Sequence, residues 1–150
     1  MEKKEAKVNG MNLPISTKIS VEVCNFVRGK NITKAKSLLE SVIKQKIPVP
    51  YKRYNQEMPH RKGKLANGRF PIKVCETILT NLKSAESNAK NLNLDSSLIV
   101  SHISAHKAPM QWHSGRQRRR RMKNTHIKII LTEEIKKETK KKAVKKEAKK

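Results

Sequence analysis

The sequence lacks the features on which many enzymes and membrane proteins depend. It contains neither a GxxxxGK[ST] phosphate-binding loop nor a GxSxG nucleophile turn. No apolar run approaches the ~18 residues of a membrane-spanning helix, and the basic segments have no apolar face at helical spacing, so we expect no membrane insertion. The first ten residues have no apolar signal-peptide core. A cytoplasmic protein is therefore expected.

Cysteine and histidine are too few and too scattered to predict a metal site. Cys24 and Cys75 have no CxxC spacing, so we predict two reduced, buried thiols, with a disulfide as the less favoured alternative. His102 and His106 share one face of a predicted strand, but the strand rise separates them by about 13 Å. The carboxylates are scattered over predicted helix surfaces and tails. We expect no enzyme, no cofactor and no metal.

Positive charge is what the sequence has in excess. The net charge is +24, from 36 lysines and arginines against 12 acids. Most of this excess falls in residues 44–73, 111–124 and 136–150, which leaves the rest nearly neutral. Neutralisation of phosphates with release of counterions is the partner chemistry that suits such segments. The composition predicts a nucleic-acid partner.

Apolar periodicity predicts three helices. The first follows Ser16 as its N-cap and ends at Gly29, and the second begins after a cap by Asn31. The third and most regular helix runs from Pro71 to about Asn91. Its predicted buried face consists of Val74, Cys75, Ile78, Leu82, Ala85 and Ala89.

Alternation of apolar and polar residues predicts strands at 98–106 and 125–132, and a weak strand at 8–13. Helices packed on a small antiparallel sheet give an α+β domain. We place this single domain at residues 1–134. Residues 135–150, rich in lysine and poor in apolar side chains, are predicted to be a disordered tail.

The connector between the two strong strands, residues 107–124, is predicted to be a protruding hairpin arm. Between residues 111 and 124 it carries six lysines and arginines and no acid. We expect repulsion among these charges to push an isolated arm open and leave it mobile. A polyanion would then be needed to order it.

Residues 47–70 are predicted to be an irregular basic loop. They contain three prolines, two glycines and six lysines and arginines, with Glu57 as the one acid. Tyr51, Tyr54 and Phe70 are interleaved with cations, and such rings can stack on unpaired bases while the cations hold phosphates. We predict an RNA-contacting loop, with a disordered linker as the alternative.

Five segments together resemble one known family. They are VEVCNFVRGKNITKAKSLLE, VPYKRYNQEMPHRKGK followed by GRFP, VCETILTNLKSAESNAKNL, HISAHK and THIKIILTEE. In this order, from about residue 13 to 134, they resemble the large-subunit ribosomal proteins numbered twenty-two in bacteria and seventeen in the eukaryotic cytosol. The YKRYN and MPHRKGK insertion is similar to archaeal and eukaryotic members. The arm departs from the family, since HSGRQRRRR replaces its Pro-Arg-Ala and Gly-Arg-Ala text.

The resemblance implies a non-catalytic constituent of the large ribosomal subunit that binds its rRNA early in assembly. It implies three partners, namely large-subunit rRNA, neighbouring large-subunit ribosomal proteins, and the nascent polypeptide where the arm lines the exit tunnel. A free nucleic-acid regulator or chromatin-like protein is the alternative function. The expected RNA-binding residues are Arg28, Lys30, Lys34, Tyr51, Lys52, Arg53, Tyr54, His60, Arg61, Lys62, Lys64, Arg69, His106, Lys107, Trp112, Arg116, Arg118, Arg119, Arg120, Arg121 and Lys123.

Overall fold

Three helices and a three-stranded antiparallel sheet form the body of the protein in the computed structural model, which describes residues 5–62, 65–94 and 97–133. The helices are α1 (Thr17–Val27), α2 (Ile32–Ile43) and α3 (Ile72–Asn91). The strands are β1 (Glu5–Leu13), β2 (Val49–Pro50), β3 (Gly68–Arg69), β4 (Leu98–Lys107) and β5 (Thr125–Glu133). The predicted α+β class is confirmed.

The last strand along the chain, β5, lies in the centre of the main sheet. The strand order is β1-β5-β4, and both neighbours run antiparallel to β5. The predicted hairpin is confirmed, with β4 and β5 each slightly longer than predicted. The weak first strand is also confirmed, and it begins earlier, at Glu5. Strands β2 and β3 form a separate two-stranded ribbon within the basic loop.

The apolar face predicted for α3 is confirmed at every position. All six predicted residues are buried, with Val74 the most exposed of them at 5%. Their period matches the helical repeat, so one stripe of the helix faces the body. Helix α3 packs on β1, β5 and α2, while α1 packs on β4. The helices thus cover one face of the sheet.

Two of the predicted helix boundary residues, Gly29 and Asn31, have the expected geometry. The side chain of Asn31 accepts a hydrogen bond from the Thr33 N–H at 3.3 Å, and Gly29 adopts a φ of +73° after α1. Ser16 takes the predicted N-cap position before α1, but its side chain makes no capping hydrogen bond. Ser16 contributes its carbonyl instead, which accepts from the Ser20 hydroxyl at 2.8 Å.

Cys24 and Cys75 are free and buried, as predicted. Burial raises the pKa of each thiol to about 12, so both are protonated at neutral pH. They pack as small apolar side chains within the core. The predicted tail, residues 135–150, lies outside the described residues, and the domain boundary at residue 134 stays a prediction.

Candidate nucleic-acid interface

The arm, residues 107–124, is a closed hairpin beyond the ends of β4 and β5. The His113 N–H donates to the carbonyl of Arg120 at 2.9 Å, and the Met122 N–H donates to the carbonyl of Gln111 at 2.7 Å. The described arm is therefore closed, and our expectation that its charges leave an isolated arm mobile stays a prediction. Cross-strand hydrogen bonds hold the backbone together.

An aromatic and cationic pair stiffens the middle of the arm. Trp112 pairs with Arg121 across the hairpin, and the guanidinium carbon lies 4.4 Å from the centre of the indole ring. This is a cation–π contact of the kind that contributes about 0.5–1 kcal/mol at exposed sites. Trp112 nevertheless remains 54% exposed. Beyond this pair a single 3-10 turn, Gly115–Gln117, reverses the chain, with Gly115 at a φ of +80°.

Cations dominate the exposed surface of the arm. All six lysines and arginines between residues 111 and 124 are exposed, and the segment has no carboxylate. These exposed residues are Arg116, Arg118, Arg119, Arg120, Arg121 and Lys123. A narrow hairpin that presents cations and no acid creates a positive potential along its length.

A hydrogen-bond network fixes the root of the arm to the body. The Asn124 side-chain amide donates to the Pro109 carbonyl at 2.9 Å and to Asn12 Oδ1 at 3.3 Å. The Asn12 backbone N–H in turn donates to Nδ1 of His126 at 3.1 Å. Asn12 has a φ of +53° and lies in a bulge of β1. Both strands of the arm are thereby tied to the first strand of the sheet.

Thr125 adds a buried fixed point directly beside that network. It is fully buried, and its hydroxyl donates to the carbonyl of Ile15 at 2.9 Å. The same oxygen lies 2.8 Å from the hydroxyl of Thr17 in the first turn of α1. The direction of the arm is therefore set by side chains of β5, β1 and the start of α1. Sequence reasoning did not identify this root network, since polar pairs more than a hundred residues apart leave no periodic signal.

A buried carboxylate holds the basic loop against α1. Glu22 is 1% exposed, and its two oxygens accept the backbone N–H groups of three successive loop residues. The donors are Lys52 at 3.2 Å, Arg53 at 2.8 Å and Tyr54 at 2.8 Å. Hydrogen bonds to an ionised acceptor are stronger than neutral ones. The loop thus has a defined attachment point, which the linker alternative does not provide.

Tyr51 occupies a different place from the one predicted. It is 5% exposed and belongs to the core, and burial raises the pKa of its hydroxyl to about 12. The prediction that its ring stacks on an RNA base is wrong for this geometry, because the ring already packs against protein. The sequence pattern of aromatic residues next to cations could not show that this ring is buried and the others are not.

The other loop aromatics lie beside cations. The centre of the Tyr54 ring lies 5.9 Å from the ammonium of Lys18 and 5.4 Å from the guanidinium carbon of Arg53. Arg61 stacks 5.3 Å from the Phe70 ring, and its Nε–H donates to the carbonyl of Gly68 at 3.0 Å. Guanidinium groups beside aromatic rings can still donate to phosphates.

The residues predicted after α1 lie beside β4. Arg28 is exposed and donates from its guanidinium to the carbonyl of Ile103 at 2.8 Å. The ammonium of Lys30 lies 5.2 Å from the ring of Phe26. Lys34 is exposed in the first turn of α2. Arg28 and Lys30 thus follow α1, and Lys34 lies on α2, outside the arm.

Most remaining predicted residues are exposed on the loop or at the arm root, and their RNA contacts stay predictions. Lys64 lies outside the described residues. The exposed residues are Lys52, Arg53, His60, Lys62, Arg69, His106 and Lys107.

Metal and membrane chemistry find little support in the described parts of the chain. Within residues 5–62, 65–94 and 97–133, no group of three or more histidine, cysteine, aspartate or glutamate side chains could hold a metal ion. In the same ranges no helix is both long enough and apolar enough to span a bilayer.

An α+β body that carries a cationic hairpin and an anchored basic loop is typical of a nucleic-acid-binding protein. The family model described as ribosomal protein L22p/L17e matches residues 8–132. The chain belongs to this family.

Archaeal relatives named large ribosomal subunit protein uL22 agree with this assignment. The one from Nanoarchaeum equitans is 40% identical over 136 residues, covering 85% of this chain and 78% of the relative. The one from Archaeoglobus fulgidus is 40% identical over 109 residues, covering 71% and 70%. The one from Methanococcus vannielii is 39% identical over 139 residues, covering 87% and 90%. The resemblance seen in the sequence, including its archaeal character, is confirmed.

Proposed function

We propose that the protein is a structural constituent of the large ribosomal subunit, where it binds large-subunit rRNA and takes part in subunit assembly. The observation that carries this proposal is the arm, a closed cationic hairpin tied at its root to three elements of the body. A rigid root lets the body and the arm bind separate parts of one large RNA. Neighbouring large-subunit proteins are further partners, and the cytoplasm is the location.

Arginine suits the arm because each guanidinium presents a planar fork of donors that matches two phosphate oxygens. The arginines emerge from a narrow hairpin and are exposed on it. An RNA that surrounds the arm would therefore meet donors along its length. The basic loop and the cations near the end of α1 supply further phosphate contacts, which position the body on the RNA.

The tip is proposed to face the nascent polypeptide, as the family resemblance implies. The tip turn at Gly115–Gln117 contains no acid and is the part of the described arm farthest along the chain from the root. The contact between Trp112 and Arg121 would stabilise the hairpin on the side of the tip that leads to the root.

Sedimentation of tagged protein in an archaeal host tests the function. We expect the protein to sediment with the large subunit on sucrose gradients in high salt. Replacement of Arg118, Arg119 and Arg121 by glutamine should leave it in the subunit but release it at lower salt, because fewer phosphates are neutralised.

The matched control removes the same charge from α3, by changing Lys73, Lys83 and Lys90 to glutamine. These lysines are exposed on the helix, away from the arm. The control should be released at nearly the wild-type salt concentration. Wild-type protein that stays at the top of the gradient and binds unrelated nucleic acids equally well would instead support the free-regulator alternative.

A further inference from the structure

The outer edge of β4 is paired over only part of its length. Strand β4 lies at one edge of the main sheet, with β5 on its inner side. At its start the Gly29 N–H donates to the carbonyl of Val100 at 2.9 Å, and the Val100 N–H donates to the carbonyl of Lys30 at 3.0 Å. The guanidinium of Arg28 binds a further outward carbonyl, that of Ile103. The corner between α1 and α2 thus covers this edge as far as Ile103.

The rest of the edge, from there to the arm, has no such cover. Backbone groups in an antiparallel strand alternate between its two sides, so Ala105 and Lys107, at alternate positions after Ile103, also direct their N–H and C=O groups outward. The Ala108 N–H has the opposite direction, since it donates to the carbonyl of Asn124 across the hairpin. In the described chain no hydrogen bond reaches the outward groups of Ala105 or Lys107. Each of these two residues therefore offers a donor and an acceptor.

A peptide strand matches these groups better than a phosphate backbone does. A strand laid antiparallel to β4 can exchange two hydrogen bonds with one residue and two more with the next outward residue. Phosphate oxygens only accept hydrogen bonds, so they would leave the two carbonyls unpaired. Addition of an extended peptide to a sheet edge is a common mode of recognition. The uncovered edge therefore favours an extended peptide segment.

The charge beside this edge favours an acidic segment. Strand β4 contains no acid, and Arg28 and Lys107 lie at the two ends of the uncovered part. The outer strand on the opposite side of the sheet differs, because Glu5 and Lys7 of β1 form an ion pair there at 3.2 Å. Only the edge of β4 thus presents cations without an acid among these two edge strands.

The helix side of this edge is apolar. Side chains of a strand alternate between its faces, and those of Ile103 and Ala105 point to the helices, where Ile103 is fully buried and Ala105 packs on the core. Val21 of α1 is half-buried. It shares one side of the helix with Thr17 and Arg28, and both of these contact the sheet. An added strand would therefore place apolar side chains on the helix side.

The open side, which faces away from the helices, is polar and basic. His102, Ser104 and His106 follow one another there, and the two imidazoles lie 3.1 Å and 2.9 Å from the Ser104 hydroxyl. Lys128 is exposed directly opposite Ser104 on β5. Ammonium and imidazole N–H groups donate to carboxylates. An added strand would therefore place acidic side chains on the open side.

We propose that the edge of β4 from Ile103 to Lys107 binds an extended segment in which acidic and apolar residues alternate, as an additional strand of the main sheet. The proposal deepens the function proposed above and rests on it, because a neighbouring large-subunit protein would supply the segment. Main-chain hydrogen bonds to Ala105 and Lys107 give the affinity, and the alternation of side chains gives the selectivity.

Titration of the full-length protein, followed by nuclear magnetic resonance, tests this. The probe is a capped peptide in which glutamate and valine alternate, and the control peptide has lysine in place of each glutamate. We expect the acidic peptide to shift the backbone amide signals of Ala105 and Lys107 in a saturable way and to slow their exchange with solvent. The lysine peptide should leave both signals unchanged. Equal shifts with the two peptides, or shifts confined to other residues, would overturn the proposal.

Methylated peptides test the main-chain pairing without altering the protein. In the proposed register the valine N–H groups face β4, whereas the glutamate N–H groups point away from it. N-methylation of the valines should weaken binding about fivefold or more, because it removes at least two hydrogen bonds. N-methylation of the glutamates is the control and should leave the affinity unchanged. Equal affinity of the two methylated peptides would contradict the added strand.

Two proline variants make the same test from the side of the protein. Ala105→Pro removes an outward N–H and leaves the pairing with β5 intact. Asn9→Pro is the matched control on the outer edge of β1, where the Lys7 carbonyl points outward to the amide of Asn88. Only Ala105→Pro should weaken the acidic peptide, by about twofold or more. An equal loss in both variants would count against the edge of β4.

RNA is the competing occupant of this edge. If oligouridylate shifted the amide signals of Ala105 and Lys107 and displaced the acidic peptide, the edge would belong to the RNA-binding surface and the proposal would be overturned. Missing peptide shifts in a protein that still sediments with the large subunit would overturn the added strand alone. Intact shifts in a protein that does not join the subunit would overturn the ribosomal role.

Discussion

Replacing Glu22 by glutamine removes the charge that holds the basic loop and nearly preserves the shape of the side chain. Oε1 accepts the N–H groups of Arg53 and Tyr54 at 2.8 Å each, and Oε2 accepts that of Lys52 at 3.2 Å. In the variant one oxygen becomes an NH2 group, which would face a backbone N–H donor. The two remaining bonds would lose their ionic character.

The size of the effect follows from these three bonds. A buried donor left without a partner costs about 1–3 kcal/mol, and a bond to a charged acceptor exceeds a neutral bond by about 1 kcal/mol. The carboxylate is also costly to bury, and the amide avoids that cost. We therefore expect Glu22→Gln to lower the free energy of unfolding by about 2–4 kcal/mol.

Urea denaturation of the full-length protein measures this difference. Glu76→Gln is the matched control, since it makes the same chemical change on the exposed face of α3 and should stay within about 0.5 kcal/mol of the wild type. Amide signals of residues 52–54 should shift in the Glu22 variant only. If both variants unfolded at the same urea concentration, the reasoning about the loop anchor would be refuted.

Three further predictions concern the body. Tyr51→Phe should leave stability unchanged or raised, because it deletes a buried hydroxyl without a partner, whereas Tyr51→Ala should cost about 3–5 kcal/mol; urea midpoints that rank the two variants in the reverse order would contradict this. Leu82→Ala should cost about 2–5 kcal/mol by leaving a cavity, while the exposed Leu92→Ala should cost little, again by urea denaturation. A hydrogen bond from Lys36 holds the pKa of Glu86 below its ordinary value of 4.5, so the pair stabilises the fold above that pH and less as the pH falls below it; the stability difference between Lys36→Met and the wild type should therefore shrink in acid.

Periodic features of the sequence predicted the fold well because burial repeats with the backbone. The six apolar positions of α3 are all buried as predicted, and in β5 the alternating Ile127, Ile129 and Leu131 are buried as well. Local polar contacts were less predictable. Ser16 takes the N-cap position that its residue type predicts, yet its side chain makes no capping hydrogen bond, and its carbonyl accepts from the Ser20 hydroxyl instead.

The positive charge of the candidate site was predicted from the sequence, but the contacts that hold its parts in place were not. Exposed cations on the arm and loop follow directly from composition, and the structure shows them at the surface. The loop anchor had one available signal, since Glu22 falls within the apolar stripe between Ile19 and Phe26 and must find donors when buried. The arm root had no such signal in the sequence, because Asn12 and Asn124 come together only when the sheet has formed.

The central position of β5 has a consequence for the order in which the molecule is made. During synthesis, β1, the helices, β4 and the whole arm precede β5 along the chain. Strands β1 and β4 do not pair with each other, because β5 lies between them. The main sheet therefore cannot form until residues 125–133 have been synthesised. Contacts of such long sequence separation form late in folding. The cationic arm is therefore synthesised before the sheet that sets its direction. A chain that ends at residue 124 would carry an arm that no sheet holds in place.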